Sequence, residues 1–191
     1  MSDRKSALPG ESASGSIRVE EAGFQGMVTL RGDLSDAAFA KAVGKALGLD
    51  VPARGALVAG DGVALLWMSP DELMLTCAHA DAAAIVAKLG EALAKHHHLA
   101  IDVSDARAVF RLTGEGTAIR DALAKLTPAD LRPGVLPVGA VRRSRLAQVP
   151  AALWFEDEGT AMVVCFRSVA AYVFGLLANA SKSGAEVGHF R

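Results

Sequence analysis

The feature that most constrains this chain is that its two halves repeat one another. Leu30-Arg31-Gly32 has a counterpart in Leu112-Thr113-Gly114, Trp67 in Trp154, Asp71-Glu72 in Asp157-Glu158, and Cys77 in Cys165. The spacing between partners drifts by only a few residues, as a change of loop length allows. A duplicated unit must bury its apolar face within itself or against its copy, so the repeat restricts the architecture before any element is assigned.

Each half reads as strand, helix, strand, strand, helix. Met27 to Arg31 is an apolar run ending at Gly32. Ser35 offers an N-cap, and Phe39, Val43 and Leu47 recur at helical spacing until Gly48 stops them. Pro52 to Gly62 reads as loop or turn. Val63 to Met68 and Leu73 to Cys77 flank Ser69-Pro70-Asp71-Glu72, which predicts a hairpin. A second helix starts near Asp81, carries Ile85, Leu89 and Leu93, and ends at His96-His97-His98, after which Leu99 to Val103 returns as strand.

The second half follows the same grammar. Ala108 to Thr113 is a strand, and Ile119, Leu123 and Leu126 line a helix. Asp130 to Gly139 is a loop marked by Pro and Gly. Val141 to Val149, Ala152 to Phe155 and Ala161 to Phe166 are strands, and a final helix runs from Ser168 to Ser181. The expected fold class is α+β, an internal duplication of a β-α-β-β-α unit with mostly antiparallel sheets and helices on one face. Residues 1–16 are expected as a flexible arm, with 17–105 and 106–191 as the two halves packed into one globular unit.

Composition narrows the function classes. The 191 residues carry 20 Lys and Arg against 21 Asp and Glu, and 51% are hydrophobic. That apolar content excludes disorder for most of the chain. The balanced charge argues against nucleic acid, which requires a concentrated cationic surface. No apolar run reaches the roughly 18 residues of a membrane span. Met1 to Gly15 lacks the apolar core of a secretory signal, and Cys77 and Cys165 form no CxxC pair, so a reduced cytoplasmic setting is expected.

Few residues invite chemistry. Three consecutive helical residues point about 100° apart, so His96, His97 and His98 cannot converge on one metal from a regular helix. Gly60-Asp61-Gly62 and Gly114-Glu115-Gly116 resemble fragments of phosphate loops, yet Ile119 replaces the third glycine and Glu115 would repel a pyrophosphate. Asp102 and Asp105 fit turn capping better than acid–base work. No Gly-x-Ser-x-Gly elbow is present. No catalytic, cofactor-binding or metal-ligating residue is therefore assigned, and the chain shows no autonomous active site.

Two features point to a partner. Arg142, Arg143 and Arg145 form the densest basic group, with Arg132 upstream; on a strand Arg143 and Arg145 share a face, which suits either a solvated edge or an acidic partner. Ser168 to Ser181 has no charged residue at all, so Tyr172 and Phe174 join Arg143 and Arg145 as candidate partner contacts.

An ordered set of segments carries a family resemblance. Trp67-Met-Ser-Pro-Asp-Glu-Leu-Met-Leu75 resembles the Trp-x-x-Pro-Asp-Glu segment of the gamma subunit of heterotetrameric sarcosine oxidase. Asp102-Val-Ser-Asp-Ala-Arg-Ala-Val-Phe-Arg-Leu-Thr-Gly114 resembles the strand that opens that family's second half. Asp130-Leu131, Pro137-Val-Gly139, Arg145-Leu-Ala-Gln-Val149 and Arg167-Ser168 continue the match. This family is similar in turn to the folate-binding aminomethyltransferases of glycine cleavage, in which duplicated α+β units surround tetrahydrofolate.

The resemblance implies a noncatalytic subunit, assembled with alpha, beta and delta subunits, of a complex that oxidatively demethylates sarcosine. The products are glycine, hydrogen peroxide, and formaldehyde or methylenetetrahydrofolate. FAD, FMN, NAD and tetrahydrofolate are expected on the partner subunits. The rival readings are a free-standing folate-binding aminomethyltransferase-like protein, with a deep pocket between its halves, and a homo-oligomer built on the final helix.

Overall fold

The computed structural model describes residues 5–190. β1 (Ser12–Ser14) and β2 (Arg18–Glu21) pair antiparallel, with Ala13 opposite Val19. β3 (Gly26–Gly32) leads into α1 (Ala37–Leu47). Asp36, not Ser35, caps that helix: its carboxylate accepts the Ala38 N–H at 2.8 Å. Ser35 instead donates its N–H and hydroxyl to Asp33, forming a local turn that leaves the cap to the next residue. Gly48, at φ 73°, closes the helix in the left-handed conformation that glycine adopts without a Cβ clash.

β4 (Leu57–Gly60), β5 (Val63–Ser69), β6 (Glu72–Cys77), α2 (Ala82–Ala92) and β7 (His98–Asp102) follow. Next come β8 (Arg107–Thr113), α3 (Gly116–Ala124), β9 (Val141–Leu146), β10 (Val149–Asp157), β11 (Thr160–Phe166) and α4 (Ala170–Ala180). Two boundaries differ from expectation. β4 lies inside the segment read as loop, and the turn at Ala147 (φ 48°) places Val149 in β10 rather than β9.

The chain divides into two compact units. One comprises Gln25–Ser104 and holds a five-stranded antiparallel sheet in the order β4-β5-β6-β3-β7. The other combines the segment up to Phe24 with Asp105 onward, and its six-stranded sheet runs β1-β2-β8-β11-β10-β9. The segment expected as a flexible arm therefore carries β1, and β2 falls in the C-terminal rather than the N-terminal half. Ala7 and Leu8 pack on that unit's core, and Arg167 donates to the Lys5 and Ser6 carbonyls. In that Ser- and Gly-rich segment β1 forms by pairing with β2, which long-range pairing with β8 holds in the sheet, and this outweighs weak strand propensity.

The register makes the duplication residue-specific. β3 pairs with β6 as β8 pairs with β11, setting Leu30 opposite Leu73 and Leu112 opposite Ala161. Both β5–β6 and β10–β11 have an irregularity at the same place, between Trp67 and Ser69 and between Phe155 and Asp157. Trp67 therefore corresponds to Phe155, not Trp154, while Cys77 does correspond to Cys165. Matching the two tryptophans slips the register by one residue, and one residue exchanges the faces of a strand. Trp67 packs on the core under the helices of its unit, as Phe155 does, whereas Trp154 lies on the opposite sheet face.

In each unit the helices cover one sheet face. Phe39 and Val43 of α1 and Leu89 of α2 meet Leu30, Leu65, Leu73 and Leu75. Ile119 and Leu123 of α3 and Val173 and Leu177 of α4 meet Phe110, Leu153, Phe155 and Val163. Each such side chain, fully buried, contributes about 1.5–3 kcal/mol.

Candidate functional site

β9 forms the outer edge of its sheet, and its pairing with β10 fixes the direction of every arginine. Arg143 stands opposite Ala152 and Arg142 opposite Leu153. Leu153 belongs to the helix-covered core, so Arg143 and Arg145 project from the other face, where both are exposed. Arg142 turns aside and donates to the Val135 carbonyl at 3.2 Å. Arg132 leaves the basic group as well. Its guanidinium grips Asp130 through Nε and Nη2, and this holds the Asp130 carboxyl down at about 2. The cationic strip thus reduces to Arg143 and Arg145, as strand alternation predicts.

α4 has one buried stripe, Ala170, Val173, Leu177 and Ala180. Ala171, Tyr172, Gly175 and Asn179 are exposed, so the uncharged helix presents a neutral outer face rather than burial all round. Tyr172 is 45% exposed. Phe174 differs, for its ring lies half-buried with its centroid 6.1 Å from that of Phe110. The structure thus divides the predicted contacts: Arg143, Arg145 and Tyr172 face outward, and Phe174 mostly serves the core.

The remaining candidates have structural work. Gly60-Asp61-Gly62 is the β4–β5 hairpin turn, with Asp61 and Gly62 at φ 46° and 77°. At Gly116 a Cβ would stand 2.3 Å from the Glu158 carbonyl oxygen, so this glycine permits close backbone packing where a phosphate loop would need open space. Asp102 accepts the Ser104 N–H and hydroxyl, and the Ser104 oxygen in turn accepts the Met27 N–H at 2.9 Å. The histidines lie beyond the end of α2. His96 sits 3.5 Å from Asp36 and edge-on to Phe39, while His98 already belongs to β7. Among the described residues no group of three or more His, Cys, Asp or Glu side chains is placed to hold a metal ion. No helix among them is long and apolar enough to cross a membrane.

Sequence reasoning missed two buried charges and one surface. Arg120 and Asp121 on α3 are 1% and 4% exposed. Leu99 and Ile101 stand exposed on β7, and no periodicity marks an edge strand from within. Beside Leu99 an open depression of about 760 Å³ is lined by Arg31, Asp33, Asp71, His97 and His98. Arg31 is engaged there by Asp71 at 2.9 Å and Glu72 at 3.6 Å, which neutralises its charge.

With this geometry in hand, the sequence profile described as "Sarcosine oxidase, gamma subunit family" matches residues 31–183. The chain belongs to the sarcosine oxidase gamma subunit family. Sarcosine oxidase subunit gamma of Corynebacterium sp. (strain P-1) is 31% identical over 154 residues, 80% of this chain and 73% of that protein. A solved heterotetrameric sarcosine oxidase from Corynebacterium sp. U-96, in complex with pyrrole 2-carboxylate, contains a chain that superposes with a TM-score of 0.78. The two are 28% identical, over 89% of this chain and 87% of that one. Aminomethyltransferase T of the glycine cleavage system from Bartonella henselae shares the fold. Its TM-score is 0.65 at 13% identity, over 90% of this chain and 48% of that one.

Proposed function

We propose that this chain is the gamma subunit of a heterotetrameric sarcosine oxidase, a folded structural component rather than the seat of its chemistry. The observation that carries the reading is the family match across residues 31–183, which spans both units. The turn, cap and packing roles of the candidate polar residues support the noncatalytic part. On this reading alpha, beta and delta subunits hold FAD, FMN, NAD and tetrahydrofolate, and the complex demethylates sarcosine in the cytoplasm. Neither glycine-marked strand-to-helix turn fits a dinucleotide: Gly32 is closed by the Phe39 ring, and Glu115 stands beside a Gly116 crowded by the Glu158 carbonyl.

Arg143, Arg145 and Tyr172 are its proposed contacts with those subunits. Co-expression with them, untagged, tests the reading. The tagged chain is expected to retain them through affinity and size-exclusion steps. A chain that elutes alone at micromolar concentration, with the other subunits present and folded, overturns it.

A further inference from the structure

The duplicated units treat one strand position differently. Relative to the strand that opens each unit, β7 stands beside β3 as β2 stands beside β8. Ala100 lies opposite Leu30 and Val19 opposite Leu112, so Ala100 corresponds to Val19. By the same register Leu99 corresponds to Arg18 and Ile101 to Glu20. The outer edge of β2 is occupied by β1, with Ser12, Ala13 and Ser14 opposite Glu20, Val19 and Arg18. The outer edge of β7 carries no strand among the described residues.

That edge is ready to pair. Val103 N–H donates to the Met27 carbonyl at 2.8 Å, which fixes the phase of the ladder. Residues in step with Val103, namely Leu99 and Ile101, direct their backbone groups toward β3, and Ala100 and Asp102 direct theirs outward. Glu21 N–H donates to the Glu11 carbonyl, so Val19, in step with Glu21, faces β1 in the same way. Side chains reverse the usual protection of an edge. Arg18 and Glu20 form an ion pair at 2.9 Å beside the covered edge, whereas Leu99 and Ile101 are 50% and 46% exposed beside the open one. Natural proteins place charge, proline or a covering strand at such edges; β7 has one carboxylate, Asp102, which accepts from Ser104, and two large exposed apolar side chains.

We infer that β7 accepts an extended segment of another subunit of the oxidase as an added antiparallel strand, in the manner of β1 on β2. The segment would carry apolar residues opposite Leu99 and Ile101, with a small residue between them opposite Ala100, as Ala13 stands opposite Val19. Backbone hydrogen bonds would supply affinity and the two alternate side chains specificity. The inference rests on the gamma-subunit reading, since it takes the partner from there.

The experiment is amide hydrogen exchange on the full chain, alone and in the co-purified complex, together with two variants. On assembly the Ala100 and Asp102 amides are expected to gain at least about tenfold protection, with Leu99 and Ile101 protected in both states. Ala100→Pro removes an outward N–H and no bond to β3, so it is expected to melt as the parent does and to lose the complex. Leu99→Lys with Ile101→Lys is expected to do the same without any backbone change. Unchanged exchange at Ala100, or full assembly of the lysine variant, overturns the inference and leaves the subunit reading standing. Protection of Ala100 in the isolated chain that rises with concentration assigns the edge to a second copy and overturns it too. Failure of the parent chain to assemble removes both.

Discussion

Arg120 and Asp121 are adjacent on α3, both buried, and each ties a different irregular segment to the helix. The Arg120 guanidinium donates through Nη1 to the Leu131 carbonyl at 2.6 Å and the Leu136 carbonyl at 3.0 Å. The Asp121 carboxylate accepts the N–H groups of Gly188, His189 and Phe190. One cation thus holds the loop rich in Pro and Gly, and one anion holds the C-terminal segment, without a salt bridge between them.

The first prediction concerns Arg120, which also lies 4.0 Å from the centroid of the Phe155 ring. Burial lowers its pKa from the ordinary arginine value, and Glu158 partly opposes that shift. Arg120→Ala would strand two buried carbonyls and leave a cavity against Phe155. It should cost about 3–5 kcal/mol in chemical denaturation. Arg120→Met keeps most of the volume and should cost less. Equal losses for the two variants would show that the carbonyl contacts, not the packing, set the stability.

Asp121 yields the second. Oδ1 accepts from His189 at 2.9 Å and Phe190 at 3.3 Å, and Oδ2 from Gly188 at 2.7 Å. Asp121→Ala removes every acceptor and should destabilise by about 1–3 kcal/mol. It should also speed tryptic cleavage after Lys182. Asp121→Asn retains one oxygen and should fall between the parent and the alanine variant. Cleavage at the parental rate in Asp121→Ala would mean that the segment is held by other contacts.

The third is a pH dependence. Burial raises the Cys165 thiol to about 11, with Arg107 pulling the other way. The folded chain therefore keeps a proton that the unfolded chain releases near 9, the ordinary thiol value. Between those values the folded state binds more protons, so stability is fully present below pH 9 and falls as pH rises toward 11. The loss is on the order of 2–3 kcal/mol. Denaturant midpoints measured from pH 8 to 11 should slope downward in the parent and less so in Cys165→Ala. Parallel slopes would assign the alkaline loss to other groups.

These relationships mark where sequence reading succeeds and where it stops. Phe39, Val43 and the stop at Gly48 reveal α1 because local periodicity and a left-handed cap are written in neighbouring residues. Arg143 and Arg145 share a face because strand alternation alone decides it. β1 was illegible, since Ser12 to Ser14 becomes a strand only by pairing with residues beyond a turn. β4 was hidden between Gly55 and Gly60 for the same reason. Trp154 misled because residue identity outweighed register. Arg120 and Asp121 carry no local mark of burial, since their partners lie at least eleven residues away.

The final prediction concerns assembly. Arg143 and Arg145 project from one face of an edge strand, so an approaching acidic surface would meet both charges at once. Exposed rim charges act chiefly on association rate and are screened by salt, with a Debye length of about 8 Å at physiological ionic strength. Arg143→Glu with Arg145→Glu should slow association with the other subunits by roughly tenfold at low salt. It should also flatten the salt dependence and leave the melting temperature near that of the parent, because neither side chain belongs to the core. Association kinetics from 50 to 500 mM salt provide the check, those limits being about the range over which screening changes most. An unchanged rate and slope would return the two arginines to the role of solvated guards on an open strand edge.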